Sequence, residues 1–299
     1  MKILVTGCCG FIGSHVCDRL VKDNQVVGID NLSLGKKENI NHLRSNKRFT
    51  FHQVEILDHK AFENVFRIHS IDCIFHLAAN SDISKGSPER DFRDTLSTTL
   101  VMLDKCHVRG IKQLVFTSSG SIYGETKREC KEDDGPLLPI SHYAAAKLSS
   151  EAFISSYSSM YGIQAWICRL PNVVGERMTH GCIYDFKSRL KIMPKTLQVY
   201  GDGSQTKPYM YVKDCVDAIV FIWKNAKDRV NYFNLSGIGQ TSVKEIAELV
   251  AGKAEIVYQG GDRGWDGDVP FYHCSVDKLK ALGWEPKRNS LEAIKLAIK

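Results

Sequence analysis

Short apolar runs alternate with amphipathic segments through roughly the first 170 residues of the chain. Runs of four to eight apolar residues are typical of buried strands, whereas apolar residues three and four positions apart are typical of helices. Strands and helices in alternation build a parallel sheet covered on both faces. We therefore predict an α/β fold with a doubly wound parallel sheet. The predicted strands lie near 2–6, 25–29, 49–53, 72–76, 112–117 and 163–169, and the predicted helices near 11–22, 59–68, 91–107 and 143–161.

The chain changes character after this alternation. Residues 173–211 and 236–299 contain short apolar runs, smaller helical patterns and polar turns such as Gly201-Asp202-Gly203. Residues 212–235 lie between these two parts, and their helical pattern over 212–224 is expected to return to the main sheet. We predict a first domain of residues 1–172 plus 212–235, with 173–211 and 236–299 forming a smaller α/β cap. Ligands of such sheets bind at the carboxyl ends of the strands, so the cleft beneath this cap is the expected site.

A glycine-rich turn lies between the first predicted strand and the first predicted helix. Gly7, Gly10 and Gly13 follow the apolar run Ile3-Leu4-Val5 and lead directly into the helical pattern. Glycines permit the close approach of a pyrophosphate, and the helix N-terminus supplies amides and a positive dipole end. Asp30 ends the next strand, where a carboxylate binds the adenosine ribose and disfavours a 2′-phosphate. This pattern predicts a Rossmann domain that binds NAD rather than NADP.

A tyrosine and a lysine stand four residues apart in the helical pattern near 143–161. Tyr143 and Lys147 therefore lie on one helix face. An unperturbed phenol has a pKa of about 10, too high for a base at neutral pH. A nearby ammonium group favours the phenolate. We therefore expect Lys147 to lower the pKa of Tyr143 and make it a candidate base.

Composition narrows the class of protein. The chain has 299 residues, of which 43% are hydrophobic and 25% charged, and no stretch approaches the ~20 apolar residues that span a bilayer. Its ten cysteines show no zinc-binding spacing, which favours reduced thiols in a cytoplasmic protein and no metal site. The net charge of +6 is dispersed along the chain, which does not indicate nucleic-acid binding. The expected partner is a phosphate-rich small molecule, with neither nucleic acid nor membrane.

Further motifs occur in the order seen in extended short-chain dehydrogenase/reductases, and the chain is most similar to their NAD-dependent nucleotide-sugar epimerase/dehydratase group. Within this group it most resembles compact UDP-glucose 4-epimerases. Besides the glycine turn, Asp30 and the Tyr-Lys pair, the resemblance rests on Leu77-Ala78-Ala79, Thr117-Ser118-Ser119, Tyr123-Gly124, Asn172-Val173-Val174-Gly175, Tyr200-Gly201-Asp202-Gly203, Tyr211-Val212-x-Asp214 and Leu282-Gly283-Trp284.

The resemblance implies roles for individual residues. It assigns catalysis to Ser119, Tyr143 and Lys147. It places NAD against Gly7, Gly10, Phe11, Ile12, Gly13, Asp30, Asn31, Glu55, Ile56, Leu77, Ala78, Ala79, Ser81, Thr95 (or its neighbour Asp94), Tyr143, Lys147 and Pro171. It places the UDP-sugar against Ser119, Tyr143, Asn172, Lys207, Arg263, Asp268 and Tyr272.

The implied activity is inversion of C4 of a UDP-hexose, UDP-glucose or UDP-galactose, through a transient 4-keto sugar. Dehydratases of the group place Asp-Glu after the catalytic hydroxyl residue, whereas Gly120 and Ser121 stand here and neither can eliminate water. The alternatives are another NAD-dependent nucleotide-sugar dehydratase or oxidoreductase, and a non-catalytic NAD-binding regulator. A regulator would be expected to lack one of the three catalytic residues.

Two further expectations concern assembly and the size of the sugar. The helices near 91–107 and 143–161 resemble the pair that forms a four-helix dimer interface in this family, so a homodimer is expected. The first helix carries apolar residues at helical spacing that either form this interface or cover the sheet. Tyr272 stands where the resemblance places a gate against 2-acetamido groups, although it could equally pack against the cap. The apolar residues are Leu96, Leu100, Val101, Leu103 and Val108.

Overall fold

A seven-stranded parallel sheet organises the protein in a computed structural model, which describes residues 1–82 and 87–299. The strands of the sheet are β1 Lys2–Thr6, β2 Gln25–Asp30, β3 Phe49–Gln53, β4 Cys73–His76, β5 Gln113–Ser119, β6 Gln164–Leu170 and β11 Val230–Asn234. Their order is β11-β6-β5-β4-β1-β2-β3, so the chain moves outward from β1 in both directions. This is the predicted doubly wound arrangement. Its topological switch point lies between β1 and β4, where open parallel sheets bind their ligands.

Helices cover both faces of this sheet. They are α1 Phe11–Leu20, α2 His59–Ile68, α3 Pro88–Asp91, α4 Thr98–Arg109, α5 His142–Tyr161 and α7 Val212–Asn225. On one face, α1 and α7 pack in a core with residues such as Val16, Ile219 and Trp223. On the other, α2, α4 and α5 contribute residues such as Phe62 and Met102. Apolar burial on both faces explains why the strands are continuous hydrophobic runs rather than alternating patterns.

The predicted helix near 91–107 is interrupted. Helix α3 is followed by a π-helical segment, Phe92–Ser97, before α4 begins. Threonine hydroxyls compete here for the backbone carbonyls, because Thr98 Oγ1 donates to Asp94 O at 3.0 Å and Thr99 Oγ1 donates to Thr95 O at 2.8 Å. The widened turn lies beside the carboxyl end of β4, and such π-bulges are frequent at functional sites.

Among the described residues, the other strands and α-helices form three two-stranded sheets and four helices. They are β7 Asn172–Val174, α6 Cys182–Ile192, β8 Thr196–Val199, β9 Thr206–Lys207, β10 Tyr209–Tyr211, β12 Thr241–Ser242, α8 Val243–Ala251, β13 Glu255–Tyr258, α9 Asp277–Ala281 and α10 Ser290–Ile298. The strand pairs are β7 with β10, β9 with β12 and β8 with β13. Helices α6, α8 and α10 pack on them in a separate hydrophobic cluster. The chain leaves this part through α7 and adds β11 beside β6. The predicted domain boundary at residue 172 stays a prediction.

Part of the predicted dimer face is wrong. Leu103 is fully buried in the core beneath α4, since helical spacing carries it to the sheet side. Val101 packs against the same core. Val108 on α4, and Phe153 and Met160 on α5, are exposed. Within the described ranges, no helix is both long and apolar enough to cross a bilayer.

Candidate active site

The glycine turn closes so tightly that two of its positions tolerate no side chain. Gly7 has a φ of +68°, which favours glycine, and its Cα faces the backbone of Ala78. A Cβ on Gly13 would lie 2.0 Å from the carbonyl oxygen of Gly7. Helix α1 therefore begins directly over the turn, and the amides of its first turn have no partner within the helix. This arrangement is a ready anion site at the end of β1.

A cleft runs from this turn across the carboxyl ends of β2, β4 and β5. Nearly all of the predicted cofactor residues line it, although they come from six separate stretches of sequence. The predicted residues in the cleft are Gly7, Gly10, Phe11, Ile12, Gly13, Asp30, Asn31, Glu55, Ile56, Leu77, Ala78, Ala79, Ser81, Ser119, Tyr143, Lys147 and Pro171. Asp94, the predicted alternative to Thr95, also lines the cleft. Residues not predicted that line it include Ser33, Leu34, Gly35, Asn80, Thr98, Thr179 and His180.

Asp30 is fixed at the end of β2 by backbone amides. Its carboxylate accepts hydrogen bonds from Cys9 N at 2.9 Å and from Leu32 N at 2.8 Å. Burial raises the pKa of Asp30, and these two hydrogen bonds oppose that rise. A Cβ on Gly35 would meet both carboxylate oxygens at 2.7 Å, so the 31–36 loop folds closely over Asp30. The spacing of the sequence could not show this loop, because its contact with Asp30 depends on the tertiary fold.

Thr95 does not line the cleft, and its prediction as a cofactor contact is wrong in this structure. Its side chain is fully buried, and its hydroxyl accepts a hydrogen bond from Asn80 N at 3.3 Å. The π-helical segment turns Thr95 inward and leaves Asp94 facing the cleft. Asn80, which the sequence reasoning missed, lines the cleft and donates to Asp91 Oδ1 at 2.7 Å.

Ser119, Tyr143 and Lys147 come together at one end of this cleft. Ser119 is the last residue of β5, and Ser141 caps α5 so that the helix begins just before Tyr143. The Tyr143 hydroxyl lies close enough to Ser119 for the serine to favour the phenolate. Ser119 Oγ lies 2.8 Å from Ser121 Oγ, a neighbour that the sequence reasoning did not include in the site. The result is a chain of three hydroxyl groups.

The expected lowering of the Tyr143 pKa by Lys147 is wrong in this structure. Burial raises the pKa of Tyr143 to about 12, and Ser119 only partly opposes this. Lys147 Nζ instead donates to Thr117 O at 2.7 Å and lies 5.8 Å from the centre of the Tyr143 ring. Burial also lowers the pKa of Lys147 to about 7, against the opposing charge of Glu151. Burial favours the neutral amine of a lysine, so Lys147 is less fully protonated near pH 7 than an exposed lysine would be.

A buried polar chain lies beneath the cleft. The His76 ring joins Thr6 Oγ1 at 2.8 Å to Thr99 Oγ1 at 3.2 Å, and Ser150 Oγ donates to Thr99 Oγ1 at 3.2 Å. Thr6 Oγ1 also accepts from the backbone amides at the start of the loop after β4. Burial, followed by the charge of Lys147, lowers the pKa of His76 to about 3. The imidazole is therefore neutral and holds β1, β4 and α4 in register.

Five predicted substrate residues lie outside the lining of this cleft. Lys207 forms an ion pair with Asp268, whereas Arg263 is nearer the surface and pairs with Glu125 and Asp262, each at 3.0 Å. Tyr272 is buried, and its ring lies 2.8 Å from where a Cβ on Gly120 would stand. The fifth residue, Asn172, begins β7. Their role as substrate contacts stays a prediction.

The geometry resembles that of known enzymes. The sequence model of the NAD dependent epimerase/dehydratase family matches residues 3–236. This chain belongs to that family. The enzymes of the family are NAD-dependent and act on nucleotide sugars, which agrees with the cleft described above. The match covers the seven-stranded sheet except Lys2, and the entire lining of the cleft, whose last member is His180.

Individual relatives differ in reaction. The chain is 31% identical to a putative UDP-glucose 4-epimerase of Methanocaldococcus jannaschii, over 99% of this chain and 97% of the relative. It is 33% identical to UDP-glucuronic acid decarboxylase 1 of Arabidopsis thaliana, over 98% of this chain and 68% of the relative. The crystal structure of UDP-glucose 4-epimerase from Thermus thermophilus in complex with NAD is 30% identical, with a TM-score of 0.88 over 100% of this chain and 98% of that one. As a member of this NAD-dependent family, the present chain has NAD as its cofactor.

The cleft fits this cofactor on its own geometry. The turn at Gly7 and Gly13 leaves room for a pyrophosphate, and Asp30 presents carboxylate oxygens at the end of β2. Ala78 and Ala79 form a small-residue wall between these two features and the hydroxyl groups of Ser119 and Tyr143. An extended dinucleotide can therefore lie with its adenosine end near Asp30 and its reactive end near Tyr143.

Proposed function

We propose that the protein inverts C4 of a UDP-hexose, interconverting UDP-glucose and UDP-galactose through a transient 4-keto sugar. The observation that carries this proposal is the grouping of Ser119, Tyr143 and Lys147 at one end of the NAD cleft, with Lys147 one helical turn beyond Tyr143. A hydroxyl group pair in this position suits proton transfer at a sugar hydroxyl next to a redox cofactor. Bound NAD supplies reversible oxidation and reduction at the sugar carbon.

Tyr143 is the proposed acid–base group. Since its pKa is raised to about 12, it is neutral near pH 7 and does not act as a free phenolate. It can instead accept the proton of the sugar 4-hydroxyl while its own proton passes to Ser119 Oγ. Ser119 in turn passes a proton to Ser121 Oγ, 2.8 Å away, and the half-buried Ser121 releases its proton to water. The same chain reverses when the 4-keto group is reduced. Lys147, fixed by Thr117 O, is proposed to hold the nicotinamide ribose.

Inversion requires the keto sugar to present its other face before reduction. The pocket beside Ser119 must therefore bind the diphosphate firmly and the sugar loosely. We assign the diphosphate to Asn172, Lys207 and Arg263, with Asp268 orienting Lys207 through their ion pair. Lysine at 207 supplies charge without the paired donors of an arginine. Tyr272 is proposed as the wall of the sugar pocket.

The main competing reactions are dehydration and decarboxylation, since one relative is a decarboxylase. Residues Gly120 and Ser121 follow Ser119, and neither carries an acid that could protonate a leaving hydroxyl group. This absence favours epimerisation over dehydration. A non-catalytic regulator is disfavoured because all three catalytic side chains are retained and face the cleft.

The activity assay distinguishes these reactions directly. Purified protein with its bound NAD is incubated separately with UDP-galactose and with UDP-glucuronate, and products are identified by NMR. The proposal predicts that UDP-galactose yields UDP-glucose without net change in the cofactor. Release of carbon dioxide from UDP-glucuronate, with no epimer from UDP-galactose, would instead show a decarboxylase. No reaction with either sugar would contradict the proposal.

We also propose that the protein is a homodimer. Val108, Phe153 and Met160 expose apolar side chains on α4 and α5, the helix pair expected to form the interface. Exposed apolar groups gathered on adjacent helices are typical of a protein–protein contact. The partner chain would bury them without covering the cleft, which opens at the carboxyl ends of the strands.

A further inference from the structure

Two cysteines from distant parts of the chain are paired at the edge of the sugar pocket. Cys130 lies in the segment between β5 and α5, and Cys274 lies two residues after Tyr272. Their backbones form a parallel bridge, in which Cys130 N donates to His273 O at 2.7 Å and Ser275 N donates to Cys130 O at 2.8 Å. Neighbouring strands lie about 4.7–4.9 Å apart, within the separation of about 4.4–6.8 Å that a disulfide requires between Cα atoms.

The two thiols also interact with each other. Each thiol affects the pKa of the other, and both residues are buried, at 2% and 4% exposure. Cys130 Sγ also donates to Arg128 O at 3.9 Å. They share a small hydrophobic cluster with Ile122, Val269 and Tyr272. This cluster joins the segment after the catalytic Ser119 to the segment that carries Tyr272.

We propose that Cys130 and Cys274 are a reversible oxidation site, at which a hydroperoxide converts the dithiol into a disulfide. The Cys130 thiolate attacks the peroxide, breaking the O–O bond and forming a sulfenic acid while the alcohol or water leaves. The Cys274 thiol then attacks the Cys130 sulfur, the S–S bond forms and water leaves with the second thiol proton. Two electrons pass from the sulfurs to the peroxide.

The surroundings differentiate the two sulfurs. The Cys274 thiol, together with a smaller contribution from Thr126, lowers the pKa of Cys130. The Cys130 thiol and burial raise the pKa of Cys274 well above its usual range. Cys130 is therefore the thiol that ionises first, and Cys274 is the resolving partner. Lys127, Arg128 and Lys131 are exposed around Cys130, so this segment is reached from solvent by a local opening.

The disulfide would fix the cap to the catalytic segment. The residues leading to Cys274 include Asp268, which pairs with Lys207, and Tyr272, whose ring packs on Gly120. A covalent link at Cys274 restrains this whole segment against movement away from the pocket. If the proposed function holds, oxidation therefore slows exchange of the UDP-sugar and lowers turnover. The link itself does not depend on that function.

Peptide mapping tests the site without an activity assay. The holoenzyme is treated with hydrogen peroxide, free thiols are alkylated and the protein is digested with trypsin. Trypsin releases Cys130 in residues 129–131 and Cys274 in residues 264–278. We expect these two peptides to be joined, lighter by two hydrogen atoms than their sum, and separated again by dithiothreitol. Two alkylated peptides after oxidation would overturn the proposal, as would a bond confined to Cys8 and Cys9, whose sulfurs lie 3.9 Å apart.

Matched variants separate the link from general oxidation. Cys130→Ser and Cys274→Ser should each abolish the joined peptide, whereas Cys182→Ser removes a less buried thiol and should leave it unchanged. Oxidation should raise the Tm of the wild type and of Cys182→Ser by about 5 °C, because the bond closes a long loop of the unfolded chain. An equal rise in Cys274→Ser would overturn the assignment. If the wild-type protein with the disulfide formed shows unchanged turnover, the proposed restraint of the cap is wrong, while the disulfide itself stands.

Discussion

The buried imidazole of His76 should make the stability of this protein fall in mild acid. Folded His76 has a pKa of about 3 against 6.5 for an ordinary histidine, since it has no contact with water and lies near Lys147. Between these two pKa values the unfolded chain binds more protons than the folded one. The free energy of unfolding therefore rises with pH in this window. The contribution of His76 to it is lost progressively as the pH falls below 6.5.

The magnitude follows from the two pKa values. Between about pH 8 and pH 5, His76 alone should remove about 2 kcal/mol from the free energy of unfolding. Its hydrogen bond with Thr6 cannot be kept on protonation, because both ring nitrogens then donate and Thr6 Oγ1 already accepts from the amides of Leu77 and Ala78. A loss of this size is a large fraction of the stability of an ordinary domain.

Urea unfolding of the wild type, His76→Asn and His59→Asn at both pH values measures this contribution. Asparagine keeps a polar group near Thr6 but does not titrate, so His76→Asn should be less stable at pH 8 yet lose about 2 kcal/mol less than the wild type on acidification. His59 is an exposed residue at the start of α2, and its variant should behave as the wild type does. An identical acid loss in the wild type and His76→Asn would refute the reasoning.

Three further outcomes follow from the site and the proposed interface. Tyr143→Phe should keep the fold and bound NAD but lower turnover about a hundredfold or more, whereas Tyr157→Phe on the same helix should not; near-normal turnover of Tyr143→Phe would exclude it as the acid–base group. Tyr272→Ser should raise kcat/KM for UDP-N-acetylglucosamine by an amount equivalent to about 1–3 kcal/mol of transition-state stabilisation. If the wild type already acts equally on UDP-glucose and UDP-N-acetylglucosamine, Tyr272 is not a gate against the 2-acetamido group. Light scattering should show a dimer at micromolar concentration, and Met160→Glu should weaken it because the side chain is exposed on the proposed face; a wild-type monomer would contradict the interface.

The parts of the site that depend on local spacing could be predicted from the sequence. Gly7 and Gly13 occupy positions where backbone contacts exclude a side chain, and Tyr143 and Lys147 share a helix face because α5 is regular. The apolar runs were equally informative, since every strand predicted from them forms in the main sheet. Local sequence and fold agree at these positions, which is the usual condition for successful prediction.

The rest depends on which elements become neighbours. His76 meets Thr6 because β4 pairs with β1 in a particular register, and no spacing within one segment contains that information. The pKa of Tyr143 depends on burial, which outweighed the expected effect of Lys147. Cys130 and Cys274 become neighbours only because the segment that carries Cys274 packs beside the segment between β5 and α5. Leu103 belongs to an apolar series in which some side chains pack in the core and others are exposed, so helical spacing alone could not show that Leu103 faces the sheet.

Isotope transfer at C4 tests the central claim most directly. UDP-glucose that carries deuterium at C4 is incubated with the holoenzyme in ordinary water until UDP-galactose has formed. Transient oxidation followed by return of the same hydrogen requires deuterium to remain at C4 of the product, with unlabelled solvent contributing none. Retention of the label in UDP-galactose is the predicted result. Replacement of the deuterium by solvent hydrogen would contradict the account, because it would show inversion by proton removal at carbon rather than by oxidation and reduction.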